Sequence, residues 1–377
     1  MRLAVLRERH PGERRVALSP THVASLIKAG WDVRVESLAG EQSGWDDDAY
    51  RAAGARVETS REAALDGSSC IVKVRPPSAG AEGREDEVGA LPSGAVLVSF
   101  LSPGEDQDLL EKLAARRVSA MAMERVPRTT RAQRMDALSS QATSAGYRAV
   151  LLAALHLPRF LPMLTTAAGT VKPARVLVLG AGVAGLQAIS TARRLGAVVQ
   201  GYDIRPAAAE QVRSLGAAFL QDDEQPMAGA ETAGGYARAL ETTEKDRQLA
   251  FLARHVPKAD AVLTMAQIPG RRAPLLVTRA MVEGMAAGSV IVDVAAETGG
   301  NCELSVPGQT TVHNGVTIVA PTDLPSGVSQ HSSQMYGTNV TALLGLLVKD
   351  GALVLDTSDD IVASVLVTHE GAVRQHP

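Results

Sequence analysis

Short apolar runs alternate with segments of helical period along most of the chain. Leu3–Leu6, Val33–Val35, Cys70–Val74 and Val96–Phe100 read as strands. Between them, Ser19-Pro20 ahead of THVASLIKAG reads as a capped helix with Pro20 near its first position and Gly30 as its stop. Further helices are predicted at about Asp46–Ala53, opening on an acidic run, and Glu105–Ala115. Strands that alternate with helices imply a parallel sheet. Pro127–Met135, rich in Arg and Thr, reads as a loop. It runs into a long helical pattern from Ala137 to about His156, long enough to lead from one domain to the next.

A second series starts after Pro173, with strands near Val176–Leu179, Val198–Tyr202, Ala261–Thr264, Ser289–Val294 and Val316–Val319. Gln221–Thr243 is acidic, rich in Gly and Ala, and lacks an apolar period, so it is a functional loop or a disordered segment. After Pro321 the pattern predicts a helix near Ser332–Val348 and a strand-like tail at Ile361–Val367. The fold class expected is α/β, with two Rossmann-like domains of parallel sheet separated by a cleft.

Composition narrows the function classes. A chain of 377 residues suggests two domains, or three small ones. With 45% hydrophobic and 21% charged residues and a formal net charge of -3, it is an ordinary soluble globular chain with no basic excess for nucleic acid. The 3% aromatic content argues against base-stacking surfaces. Cys70 and Cys302 read as two reduced thiols. Charges at Arg2, Arg7, Glu8 and Arg9 rule out a signal peptide. The most apolar stretches, Ala149–Leu157 and Ala342–Val348, fall short of the roughly 20 residues a spanning helix needs, so no direct membrane insertion is expected. Docking onto a membrane protein stays open. No metal site is expected, because no His has ligand spacing with Cys or a carboxylate.

The strongest chemical signal is RVLVLGAGVAGLQAISTARRLGAVVQGYDIR. A buried strand runs into Gly180-Ala181-Gly182-Val183-Ala184-Gly185 and then into a helix. Gly180 permits the tight turn, Gly182 lets the backbone approach a pyrophosphate, and Gly185 lets helix and strand pack closely. The helix N-terminus presents free N–H groups and a positive dipole end to phosphate. Asp203, 21 residues after Gly182, ends the next strand. Its carboxylate accepts both ribose hydroxyls and repels a 2′-phosphate, which predicts NAD(H) over NADP(H). Arg205 is expected to cover the adenine or face solvent.

The second signal is PRTTRAQRMDALSSQATSAGYRAV. Arg128, Gln133, Asp136 and Ser139 lie in a loop that enters a helix. An arginine fork and a carboxylate together can hold a carboxamide, which offers both a donor and an acceptor. The same residues equally describe a helix start capped by Asp136 with basic residues in solvent.

The blocks PR-x-x-RAQ-x-MDALSSQ-x-x-x-AGYRAV, GAGVAGLQAISTARRLGAVVQGYDIR, GGYA at Gly234–Ala237, IPGRRAPLLVT and DVAAETGGNCELS closely resemble the NAD(H)-binding component (domain I) of proton-translocating NAD(P)+ transhydrogenases. The resemblance implies that Arg128 and Asp136 orient the carboxamide, that Gln133 sits by the nicotinamide ribose, and that Ser139 supports them. It implies a mobile lid over the nucleotide that carries Tyr236. Cofactor contacts are implied at Gly180, Gly182, Val183, Ala184, Gly185, Asp203, Ile204, Arg205, Thr264 and Ala266. It further implies a homodimer bound at the cytoplasmic face of the inner (plasma) membrane. Its partners would be a subunit that holds NADP(H) and a membrane-spanning subunit. The implied domains are 1–136 plus about 325–377, and 137–324.

The resemblance extends to alanine dehydrogenase, the rival reading. Arg15 and Lys73 match residues that hold substrate there. The proton-handling pair is broken, since SFLSP carries Ser102 where a His is expected and Glu297 stands where an Asp is expected. Arg15 and Lys73 then read as remnants or ion-pair partners. A third possibility is an NAD-binding regulatory module without hydride exchange.

Overall fold

The computed structural model describes residues 1–80, 85–104, 106–222, 240–268 and 271–374. The chain divides into two compact units, Met1–Gln141 with Pro325–Pro377, and Ala142–Leu324. The helix Ala137–His156 contains the first boundary.

The first unit begins with β1 (Arg2–Val5), β2 (Asp32–Glu36), β3 (Arg56–Glu58), β4 (Cys70–Val72), β5 (Val96–Ser99) and β6 (Ser119–Ala122). These strands are parallel and lie in the order β3-β2-β1-β4-β5-β6. Strands covered on both faces need apolar side chains on both, hence the unbroken runs in the sequence. Leu3, Val5, Ile71, Val72, Leu97 and Val98 are fully buried. Burying each such side chain contributes about 1.5–3 kcal/mol.

The second unit opens with a hairpin, β7 (Leu164–Thr166) and β8 (Gly169–Val171). Then come β9 (Arg175–Leu179), β10 (Val198–Tyr202), β11 (Ala218–Phe219), β12 (Ala261–Thr264), β13 (Val290–Asp293), β14 (Thr310–His313) and β15 (Val316–Val319). Their order is β11-β10-β9-β12-β13-β15-β14, with only β14 antiparallel among the described residues. Both units therefore share one doubly wound strand order. Its reversal lies between β1 and β4 in one unit and between β9 and β12 in the other. Ligands in such sheets bind outside the strand carboxyl ends at that reversal.

The tail adds a helix (Ser329–Leu347), a small hairpin of β16 (Val348–Lys349) and β17 (Ala352–Leu353), a helix (Asp360–Val365), and β18 (Leu366–His369) with β19 (Ala372–Val373). The last two extend the first sheet antiparallel beside β6.

Two local expectations are corrected. Ile361–Val367 is not one strand. Asp359 accepts from the N–H groups of Ile361 and Val362, and this cap turns Asp360–Val365 into a helix before β18 begins. Ser19 precedes the first helix, Pro20–Lys28, but its hydroxyl bonds His22 Nδ1 at 2.8 Å and does not cap. Cys70 and Cys302 are free thiols; burial pushes them up to about 12 and about 11, so neither is a nucleophile.

Candidate NAD(H) site

The three fingerprint glycines do three separable things. Gly180, directly after β9, has φ +97°, and a Cβ there would stand 2.9 Å from Ala266 N. Gly185 lies one turn into the helix Val183–Arg194, where a Cβ would stand 1.9 Å from Gly180 O. Gly182 is the helix N-cap, with no side-chain cap and nothing within 4 Å of a would-be Cβ. The backbone at Gly182 is thus bare on the side where the first N–H groups of Val183 and Ala184 emerge. This open, uncapped helix start fits a pyrophosphate.

Asp203 follows β10. Its Oδ2 accepts from Ala181 N at 2.8 Å, which ties it to the glycine turn. Its Oδ1 accepts from Arg205 N at 2.8 Å. The Arg205 guanidinium closes the remaining side, Nε to Oδ1 and Nη2 to Oδ2, both 3.0 Å. Arg205 neither covers an adenine surface nor faces solvent, as a planar donor fork beside a carboxylate takes the bidentate pairing. Ile204 packs against the core of the unit.

Thr264 ends β12, is fully buried, and donates its hydroxyl to Asp293 Oδ1 at 2.9 Å, leaving no free side-chain donor. Ala266 is held by both backbone groups. Its N donates to Asn301 Oδ1 (3.1 Å) and its O accepts from Asn301 Nδ2 (2.9 Å). Asn301 is in turn anchored by Asp293, which accepts from Asn301 N at 2.9 Å. Asn301 fixes the wall that Gly180 must fit against, and nothing in sequence spacing pointed to it.

In the first unit, Asp136 and Ser139 come together. Asp136 accepts from Ser139 N at 2.9 Å and from Ser139 Oγ at 2.5 Å, the geometry of a helix cap. Arg128 and Gln133 are exposed on the same loop. This loop is braced at two points that the sequence left unmarked. Arg131 donates to Asp359 at 2.6 and 2.9 Å and also pairs with Asp360. Asn339, buried on the helix Ser329–Leu347, donates to Arg134 O at 2.8 Å and accepts from Ser140 Oγ at 2.7 Å. Arg131 stands inside the RAQ motif, the only sequence hint of the brace. Tyr236 lies outside the described residues, as does most of the expected lid.

Gly146, of the AGYRAV motif, has the tightest contact outside the fingerprint. A Cβ there would stand 2.1 Å from Ala184 O, so the helix Ala137–His156 reaches the backbone of the cofactor helix through this one position.

The residues of the rival reading are occupied internally. Arg15 is buried and pairs with Glu13, Nε–Oε1 2.7 Å and Nη2–Oε2 2.5 Å. Burial would raise the Glu13 carboxyl, but the Arg15 hydrogen bonds and charge override it and hold it at about 2. Lys73 is buried between Glu87 (3.0 Å) and Glu8 (3.4 Å). Ser102 N donates to the carboxylate of Glu124.

Comparison with known proteins agrees with this geometry. A model described as "Alanine dehydrogenase/PNT, N-terminal domain" matches residues 4–145, and one described as "Alanine dehydrogenase/PNT, C-terminal domain" matches 149–376. The chain belongs to the alanine dehydrogenase/PNT family. Within the family, it is 46% identical to the first portion of the NAD(P) transhydrogenase alpha subunit of Rhodospirillum rubrum, a separate chain there, over all of this chain and 98% of that one. A transhydrogenase structure from Sinorhizobium meliloti superposes with a TM-score of 0.88 at 43% identity, covering 99% of this chain and 100% of that one. An alanine dehydrogenase from Halomonas elongata is more distant, 31% identical over 98% of this chain and 94% of its own.

Proposed function

We propose that this chain is the NAD(H)-binding component of a proton-translocating transhydrogenase, through which hydride passes from NADH to NADP+ held on a partner subunit. The observation that carries this reading is a built nucleotide cradle, Gly180 to Gly185 with Asp203, without a prepared acid–base pair for substrate. Bound NADH supplies the hydride from its nicotinamide C4. The chain's own residues bind, orient and exclude water. Gly182 and the helix start receive the pyrophosphate, and Asp203 accepts the ribose hydroxyls. Arg128 and Asp136 orient the carboxamide, with Ser139 holding Asp136 in place. Gln133 aligns the ring with the partner's nucleotide, and Tyr236 closes the lid. Transfer between two C4 atoms moves no proton to protein, which is why positioning groups suffice. An amino-acid oxidation would need a base and a free carboxylate holder. Here Arg15 and Lys73 are consumed by Glu13, Glu8 and Glu87.

Transhydrogenation assayed with the chain and its partner subunits tests this reading directly. NADPH formation is expected, with no alanine-dependent NAD+ reduction by the chain alone; the reverse pattern would assign it to the dehydrogenases. Among the described residues no helix is long and apolar enough to cross a membrane. Proton coupling is accordingly placed in a membrane-spanning partner, with this chain on its cytoplasmic face.

Nucleotide choice gives a sharp test. Parent protein is expected to bind NADH far more tightly than NADPH, because Asp203 meets a 2′-phosphate with like charge. Asp203→Ala should narrow that gap by weakening NADH about tenfold or more, as expected for losing charge-assisted hydrogen bonds. Calorimetric titration with both nucleotides reads it; equal affinities in the parent protein would refute the assignment.

The homodimer is supported by exposed apolar side chains along one stretch of the second unit. Leu155 is 77%, Phe160 58% and Met163 62% exposed, next to the β7–β8 hairpin with Val171 outermost. Such a concentration marks an interaction surface. Sedimentation should show a dimer, and Phe160→Glu with Met163→Glu should yield monomers that still melt cooperatively. A monomeric parent protein would remove the dimer from the scheme.

A further inference from the structure

We infer that Arg205 is a latch on the ribose subsite, which nucleotide must displace to bind; this rests on Asp203 being the ribose acceptor proposed above. A carboxylate has about four acceptor positions. Asp203 has all four filled, by Ala181 N, Arg205 N, and the Nε and Nη2 atoms of Arg205. The first two are backbone donors. They fix the carboxylate to the glycine turn and to its own strand end, and they can stay when ligand arrives. The other two belong to a side chain, one bond on each oxygen. When the guanidinium leaves, each oxygen regains one free position. Two adjacent free positions on one carboxylate match two vicinal ribose hydroxyls. The guanidinium therefore stands in for the diol.

Burial agrees with a latch. The Asp203 side chain is 7% exposed and that of Arg205 17%. The carboxylate cannot be reached while the arginine lies over it, and the arginine itself is on the outer side. The latch also bears on selectivity. Paired with Arg205, Asp203 presents a neutralised site, which weakens its repulsion of a 2′-phosphate. Released, the guanidinium is a ready partner for that phosphate. Arg205 thus costs NADH affinity and limits discrimination against NADPH.

The test compares parent protein with Arg205→Ala and Arg205→Lys, using NADH, NADPH, 5′-AMP and 2′,3′-dideoxy-AMP in calorimetric titrations. Arg205→Ala should bind NADH and AMP roughly fivefold more tightly, the fold-change that displacing one partly buried ion pair represents. NADPH should not gain. The dideoxy nucleotide should show no gain, because it has no hydroxyls that require the latch to open. Arg205→Lys, which cannot make the two-pronged contact, should gain for NADH and AMP while keeping NADPH. Weaker or unchanged NADH and AMP binding in Arg205→Ala, or an equal gain for the dideoxy nucleotide, would overturn the latch. A parent protein that binds neither NADH nor AMP would overturn the nucleotide site itself, and the latch with it.

Discussion

Given NADH and NADP+ but no partner, the purified chain is expected to bind NADH and transfer no measurable hydride. Hydride transfer needs two nicotinamide sites, and among the described residues only the second unit has a fingerprint for one. The first unit shares the strand order, yet its crevice is filled. After β1 the chain reads Arg7-Glu8-Arg9-His10-Pro11-Gly12, and Glu8 reaches across to β4, where it accepts from Val74 N at 2.6 Å and pairs with Lys73. A buried ion pair stands where a pyrophosphate would need bare backbone. The second nucleotide must come on another protein. Adding the NADP(H)-binding component should switch the reaction on. Gln133→Ala should then slow transfer about a hundredfold, the order expected when reacting atoms that must meet within about 3–3.5 Å are misaligned. NADH affinity should change little, since the side chain acts in the transition state. Stopped-flow transfer with parallel NADH titration separates the two effects. Full activity without a partner, or a loss explained wholly by affinity, would refute the scheme.

Most of the sheet core was legible because burial on both faces leaves no choice of residue. Val176–Leu179 and Ala261–Thr264 are apolar for that reason alone. What lay hidden is what one face or a neighbour decides. β3 is a polar edge strand, Arg56–Glu58, and β7 and β8 are partly or fully exposed, so no apolar run announces them. Ile361–Val367 has strand composition, yet Asp359 caps it into a helix first. The site divides along the same line. Glycines at 180, 182 and 185 were readable because backbone geometry leaves no alternative to them. Asp203 was readable from its place at a strand end. The roles of Arg205, Asn301 and Asn339 depend on which side chains tertiary folding sets beside them, and single-sequence spacing carries no record of that. Gly146 stood in a quoted motif, but its contact with Ala184 O needs two helices to be packed before it exists.

The glycines also permit folding and binding to be separated by single methyl groups. Gly182→Ala should leave the fold intact. Its φ is -76°, open to any residue, and the new Cβ meets nothing within 4 Å. Removing a glycine at a compatible conformation stabilises by about 0.4–1 kcal/mol through the unfolded chain, so its melting temperature should hold or rise slightly. NADH binding should nevertheless fall about ten- to hundredfold, because the methyl enters the space that a pyrophosphate must occupy. Gly185→Ala reverses the pattern at its origin. Its Cβ would lie 1.9 Å from Gly180 O, so helix or turn must shift. Overpacking of this kind costs about 1–3 kcal/mol, and the displaced turn carries Ala181 N away from Asp203. Gly185→Ala should lose stability and NADH binding together, while Gly182→Ala loses binding alone. Gly146→Ala, 2.1 Å from Ala184 O, should resemble Gly185→Ala in stability, because it strikes the same helix from the other side. Thermal melting and NADH titration on the three variants decide the matter. If Gly182→Ala binds NADH like the parent protein, the pyrophosphate does not sit on this turn, and the nucleotide site must be sought elsewhere on the chain.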